Sequence, residues 1–383
     1  SAVTPVPVKQ RRRTALRSGR HLSRPRRLAA VWIVGLMAVG CAASLTSCES
    51  GPRRRNGASS SAIFVPGPDV APAPSFRVVY RVDDTAGPQP FVSTDVLQVR
   101  RPFEARLEHR LGVPPGGTIK SSTVENVRFR INASDNDGHF ATRRVPGPLS
   151  EAPSPDVLEA AVAAGVAERV GDGAVANERC IRYLYRQAGN EILARPDEQQ
   201  RVEACVTPDG ILVREAIRLE GRQVRVAEAV DVDRHPSVER DTFMVTEDPD
   251  STELLETAQL VSEGKAPKGS KLVEVPVPTG FRTSSQATVN RQPGENSPMT
   301  AFFVASYQRG TEILAVEQLL TAGAEGPWPQ DEGSVVDVGH GRSVRVLYRA
   351  AYIEVRLAPG GHLVRVMADR AAVALAVARS LAA

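Results

Sequence analysis

The chain has 383 residues, enough for about two or three domains, and its 42% apolar against 24% charged residues suit an ordinary buried core. Only 5% of residues are aromatic, which argues against a base-stacking surface for nucleic acid. The net charge of +4 is local: residues 1–47 hold nine Lys or Arg and no acid, leaving 39 basic residues against 44 acids in the remainder. A basic pI near 9.0 therefore carries no case for nucleic acid as a partner.

After Arg27 comes an uncharged apolar run from Leu28 to Leu45. A basic stretch, an apolar run and then small residues is the architecture of a secretory signal. The run closes on Leu45-Thr46-Ser47-Cys48, which resembles the lipobox of bacterial lipoproteins: a branched apolar residue, two small residues, then the cysteine. That resemblance implies a diacylglyceryl group on the Cys48 thiol and cleavage between Ser47 and Cys48, with residues 1–47 the signal peptide. Cys41 competes, but it has no Leu three residues upstream and lies inside the apolar run; Cys48 is favoured. The alternative is an uncleaved signal-anchor helix, since about eighteen mostly apolar residues approach bilayer thickness. Either way the bulk of the chain is expected at the extracytoplasmic face of the cell membrane. Two acyl chains suffice as an anchor, at about 0.8 kcal/mol per buried CH₂. Residues 48–74 are rich in Gly, Ser, Pro and Ala and are expected to be a disordered tether.

From Ser75 the pattern turns to alternation. Phe76–Val82 and Thr94–Arg100 read as a hairpin that Phe103–Arg110 continues, and Val124–Ile131 reads as a further strand. Residues 154–170 predict the first helix, with Ser154 as cap, Pro155 in the first turn and Val157, Leu158, Ala161, Val162 and Val166 near helical spacing. Arg179–Tyr185, Arg201–Val206 and, after the Pro208-Asp209-Gly210 turn, Ile211–Leu219 predict a meander. Cys180 and Cys205 sit on neighbouring predicted strands, and an exported protein is permitted disulfides. The alternatives are two free buried thiols or a metal pair lacking further ligands; the disulfide is the favoured reading.

Residues 248–264 predict a second helix, with Leu254, Leu255, Leu260 and Val261 on one side and Ser251 as cap. Residues 266–270 read as a seam between a first domain over 75–265 and a second over 270–383. Beyond it, strands are expected at 271–278, 300–307, 311–317, 343–348, 352–357 and 362–367, and a closing alanine-rich helix up to Ala383. Strands in runs with helices to one side predict an α+β class built on antiparallel sheet.

Together these features resemble the LolA/RseB-like group of bacterial, notably actinobacterial, envelope lipoproteins. The residues that carry the resemblance are the strand Phe76–Val82, Arg100-Arg101-Pro102-Phe103-Glu104, the helix Pro155–Glu168, Cys180 and Cys205 with Pro208–Val213, and the final helix around Leu375. The resemblance implies a curved antiparallel half-barrel with helices on one face and an apolar cavity suited to acyl chains or a lipidated client, followed by a smaller α+β domain.

Motifs of catalysis are not found: no Gly-x-Ser-x-Gly, no His-Glu-x-x-His, no Walker loop and no Gly-x-Gly-x-x-Gly. His139, His235 and His340 stand in turn-like settings, and Asp135-Asn136-Asp137-Gly138 lacks the twelfth-position Glu of a calcium loop. Glu215 and Glu354 show no pairing in the sequence. The expectation is a non-catalytic lipid- or lipoprotein-binding module without metal or cofactor. The alternative is an RseB-like regulator whose partner is a membrane protein such as an anti-sigma factor.

Overall fold

The alternation that follows Ser75 is realised as antiparallel strands, because each such segment has an apolar side to bury and a polar side to leave wet. The computed structural model describes residues 70–383 apart from 116, 126–128, 135–137, 144–146, 150, 189–190, 194–199, 240–241, 244–251, 255–257, 292–299, 321–332 and 340. All of them belong to one unit running from Glu49 to Ala383.

The chain opens with β1 (Ser75–Asp84), β2 (Phe91–Arg100), β3 (Glu104–Leu111), β4 (Thr118–Glu125), β5 (Phe129–Ser134) and β6 (Gly138–Arg143). Helix α1 (Pro155–Ala163) separates these from β7 (Ala167–Val175), β8 (Glu178–Ala188), β9 (Glu191–Leu193), β10 (Gln200–Val206), β11 (Leu212–Leu219) and β12 (Arg222–Asp233). Then come β13 (Thr252–Leu254), β14 (Ala258–Glu263), β15 (Arg282–Arg291), β16 (Thr300–Arg309) and β17 (Glu312–Leu319). The last elements are β18 (Ser334–Gly339), β19 (Arg342–Arg349), β20 (Ile353–Leu357), β21 (Val364–Ala368) and α2 (Ala371–Ala382).

Neighbour to neighbour, one run of strands is β7–β8–β10–β11–β12–β1–β2–β3–β4–β5–β6. It is antiparallel throughout, and β13 adds to β6 in parallel. A second antiparallel run is β14–β15–β16–β17–β21–β20–β19–β18. The short β9 joins them, with Ile192 opposite Gln187 of β8 and Tyr348 of β19. One apolar cluster spans both runs: Val157 and Leu158 of α1, Tyr183 and Val202 pack with Val316, Val346, Val355 and Leu375 of α2. A second fills the β1–β2–β12 face around Phe76, Val78, Val99 and Ala229.

Several segments differ from what periodicity alone suggests. The helix expected over 154–170 stops at Ala163; Gly165 turns the chain at φ +72°, and 167–175 pair with β8 instead. Gly171 and Gly173 weaken helix there, and the ladder satisfies the backbone groups. The helix expected within 248–264 is replaced by β13 and β14; Leu260 faces Val289 across β15, and the proposed cap Ser251 lies outside the described residues. The single strand expected at 124–131 is the end of β4 and the start of β5, folded so that Val124 faces Ile131. Residues 271–278 form no ladder, because Pro276 and Pro278 have no N–H to give. The Gln318 side chain takes a strand's place, accepting from Val273 N at 2.9 Å and donating to Val273 O at 3.0 Å. The closing helix forms as expected, burying Val373, Leu375, Val377 and Leu381.

Cys180 and Cys205 form the disulfide, with Cα atoms 5.4 Å apart. Gly173 lies against it, and a Cβ there would come within 3.2 Å of Cys205 Sγ. The starts of the two helices are tied together. Ser154 caps α1 and donates from Oγ to Asp369 O at 2.6 Å, and Asp156 accepts from Ala371 N at 2.6 Å. Asp369 itself is buried and accepts from Ile313 N at 3.1 Å. Burial pushes its carboxyl up to about 7, against the pull of the Ile313 N–H and the Arg101 charge.

Two stability predictions follow from these contacts. The Cys180→Ala/Cys205→Ala variant should lose about 3 kcal/mol in chemical denaturation, since the bond closes a 25-residue separation. An Asp369 carboxyl held above its unfolded value binds extra protons in the native state, so its contribution to stability falls as pH rises from about 4 to about 7. Asp369→Asn keeps the acceptor for Ile313 N, and its melting temperature should vary less across that window, by on the order of 2–4 kcal/mol of stability. An unchanged pH profile would refute the assignment.

Candidate functional site

On β1, Phe76, Val78, Tyr80 and Val82 share one face, and strand registers carry that face sideways. One row across it reads Ala229, Tyr80, Asp95, His109 from β12 through β1 and β2 to β3. The next row outward reads Glu215, Ala227, Val82, Ser93, Leu111 from β11 to β3. The last reads Ile217, Arg225, Asp84, Phe91. Deep in the face the residues are apolar, among them Val99, Leu97 and Ala105, all buried. The middle is polar, and the end carries Phe91 and Leu111, open to solvent, beside Arg225 and Asp84.

The polar middle is a chain of ion pairs. Asp95 meets His109 Nδ1 at 2.7 Å through one oxygen and Arg225 Nη2 at 3.2 Å through the other. Arg225 Nη1 continues to Glu215 at 3.0 Å. Glu215, unpaired in the sequence reading, thus has a partner on the neighbouring strand. Its carboxyl is nevertheless raised from the ordinary value, because burial and the nearby Asp95 outweigh Arg225. Tyr80 donates from its hydroxyl to Leu212 O at 2.6 Å, and burial with the Glu215 and Asp95 charges keeps it firmly neutral. Ser93 is fully buried, and its Oγ has no hydrogen-bond partner. Ser93 Oγ accepts or donates no hydrogen bond among the described residues, His109 included, so the two are not a hydrogen-bonded nucleophile–base pair.

Beyond this cluster, Phe91 is 44% exposed, Leu111 46% and Val113, two residues past β3, 61%. Single exposed apolar residues are ordinary, but three at one end of a face whose interior is apolar form a rim.

A second charged cluster lies on β17, β20 and β21. Arg365 contacts Glu317, lies 3.7 Å from Glu354, and Arg356 reaches Glu354 at 2.7 Å. Burial would raise the Glu354 carboxyl, yet Arg365, Arg356 and Arg349 together hold it below the ordinary range. Glu354 is therefore paired as well. Both carboxylates are nearly inaccessible, and the cluster reads as internal scaffolding of the second run.

Of the other residues singled out by sequence, Ser47, Cys48, Cys41, His340 and Asp135–Asp137 lie outside the described residues. His139 is not in a turn; it is in β6, opposite Ala133 and Thr252. His235 is in a bend, its backbone N–H on Asp233 at 2.8 Å. Sequence reading missed Asp95, His109 and Arg225, although a signal was present. Each is a polar residue on the same side of its strand as buried apolar neighbours, such as Leu97 and Val99 for Asp95.

No family model matches the chain, and no curated protein matches it. Among solved structures, MucB bound to MucA(peri) is 13% identical over 79% of this chain and 91% of that chain, at a TM-score of 0.29. The Pseudomonas aeruginosa MucA/MucB complex is likewise 13% identical, over the same shares, at 0.30. PNGF-II is 9% identical over 77% of this chain and 68% of that one, at 0.27. Likeness at this level carries no argument about fold family or activity, which rest on the residues themselves.

Proposed function

We propose that the protein is a non-catalytic binding module of LolA/RseB-like type, held at the extracytoplasmic face of the membrane by lipid on Cys48. Its first run of strands takes an apolar or lipidated ligand. The observation that carries this is the rim. The inner face of β1, β2, β3 and β12 ends in exposed Phe91 and Leu111, which offer an acyl chain an apolar landing outside the polar Asp95–Arg225 band. The Asp95, His109, Arg225 and Glu215 pairs offer a polar stop where a head group or a peptide end would rest. Binding of this kind needs no nucleophile, metal or cofactor. The tether ends at Ala73, which is buried and donates to Asp209 O; the stretch before it lets the module turn toward its ligand while the anchor keeps it local.

Native mass spectrometry and titration with a fluorescent fatty-acyl probe test this reading. The full chain should carry or capture one acyl ligand, and Phe91→Asp/Leu111→Asp should weaken probe binding about tenfold or more with an unchanged circular dichroism spectrum. Equal affinity in the variant would sink the reading. If membrane crosslinking instead captures one protein and no lipid is found, the module is a regulator that clamps a membrane protein.

A further inference from the structure

One end of the first run of strands gathers features that the inner face does not use. There β10 begins, β11 ends and β12 begins, beside the end of β1, the start of β2 and the end of β3. Across β8, β10 and β11 three arginines stand directly opposite one another: Arg186 faces Arg201, and Arg201 faces Arg218. Neighbouring strands are about 4.8 Å apart, so these charges crowd a short row. Like charges directly opposite across strands cost stability; Arg186 has a partner elsewhere, and the exposed Arg201–Arg218 pair is the part of the row that an anion would offset. Arg201, Arg218 and Arg222 are exposed, and none of these three makes an ion pair among the described residues. Of the nearest acids, Glu220 is exposed in the β11–β12 hairpin tip, while Asp83 pairs with Arg81 and Asp84 accepts from the Ala86 N–H; three arginines therefore stand against one acid that makes no ion pair among the described residues.

The same end is greasy. Leu219, 37% exposed, sits in the hairpin tip between Arg218 and Arg222, and Ile119, 41% exposed, is the second residue of β4, opposite Arg110. A dissolved acidic polymer would satisfy the arginines and leave these side chains in water. An anionic bilayer satisfies both, taking apolar tips below the head groups and gathering basic side chains at about 1 kcal/mol, or about fivefold, each.

We propose that this end of the module docks on an anionic lipid surface, with Arg201, Arg218 and Arg222 on the head groups and Leu219 and Ile119 entering the interface. Docking there brings the Phe91–Leu111 rim to the bilayer. It deepens the binding reading above by naming the surface the site faces. The tether does not forbid it. β1 starts at the far end of the sheet, but the stretch from Cys48 to Ser75 can extend on the order of 90 Å, well beyond the roughly 33 Å length of β1.

Hydrogen–deuterium exchange of the full chain with vesicles tests the docking. Peptides over 217–224 and 111–119 should exchange several-fold more slowly on phosphatidylcholine vesicles containing phosphatidylglycerol, and not on phosphatidylcholine alone. High salt should remove the effect. In Arg201→Glu/Arg218→Glu the lipid concentration for half protection should rise about fivefold or more per arginine, while exchange in β1 and β8 reports an intact fold. Should the variant misfold, the salt titration of the unaltered chain decides. Equal protection on both vesicles, protection at another face, or the same protection from soluble polyglutamate would overturn the proposal. Acyl-probe titration on the same preparations stands apart: probe binding without vesicle protection refutes only the docking, and its loss with protection intact refutes only the ligand site.

Discussion

The double pairing of β1 is the constraint on which the rest of the first sheet depends. Its residues pair with β2, the next strand in the chain, and with β12, which the chain reaches only after a helix and nine further strands. The β12 pairing is non-local, so its loop-closure cost is met late, by burial of the side chains it brings together. Those include Phe76, Val78 and Val82, each almost wholly inaccessible. Because side chains alternate strictly along a strand, this register also decides which polar residues meet. A slip of one residue between β1 and β2 would move Asp95 to the other face and dissolve the Asp95–His109 and Asp95–Arg225 contacts together.

The two runs of strands are held to each other by hydrogen bonds between helix starts as well as by apolar contact. The first free N–H of α2 is satisfied by Asp156 of α1, and the α1 cap, Ser154, reaches back to Asp369. Helix starts need acceptors for their free N–H groups, and here part of that need is met by the other helix. The consequence is a shared core in which α1, β8 and β10 pack with β19, β20, β21 and α2. Arg101 sits at the same junction, donating to Ala73 O and Gly210 O. Burial lowers its proton affinity from the ordinary arginine value. The Arg100–Glu104 segment that carried the family resemblance thus includes a residue with a structural task at the join.

Some elements were legible because one local signal dominated. Ser154-Pro155-Asp156 starts a helix in the sequence and in the structure, and the alanine-rich 371–382 has no competing pattern. Alternation from Phe76 to Val82 and from Ser343 to Tyr348 reads as strand and forms it. Misreadings fell where two periods fit the same residues. Leu260 and Val261 suit a helix, but the partner β15, a distant segment, supplied the ladder that made them strand. The Asp95 site was out of reach for a related cause: its members come from β2, β3, β11 and β12, and no spacing in the chain brings Arg225 next to Asp95.

By itself the sequence determined most of the strands, the start of the first helix and the closing helix; it favoured the pairing of its two late cysteines and offered a basic N-terminal stretch with a lipobox-like Leu45-Thr46-Ser47-Cys48. These depend on residues close in the chain or on counting: side-chain period, caps, charge runs and the number of thiols. Only the tertiary structure decided which strand lies beside which, and hence that an Asp, a His, an Arg and a Glu share one face of the first run and that three arginines stand opposite one another at an end of it. Strand order is set by burial summed over distant segments, and a face of a sheet has no address in the linear chain until that order exists.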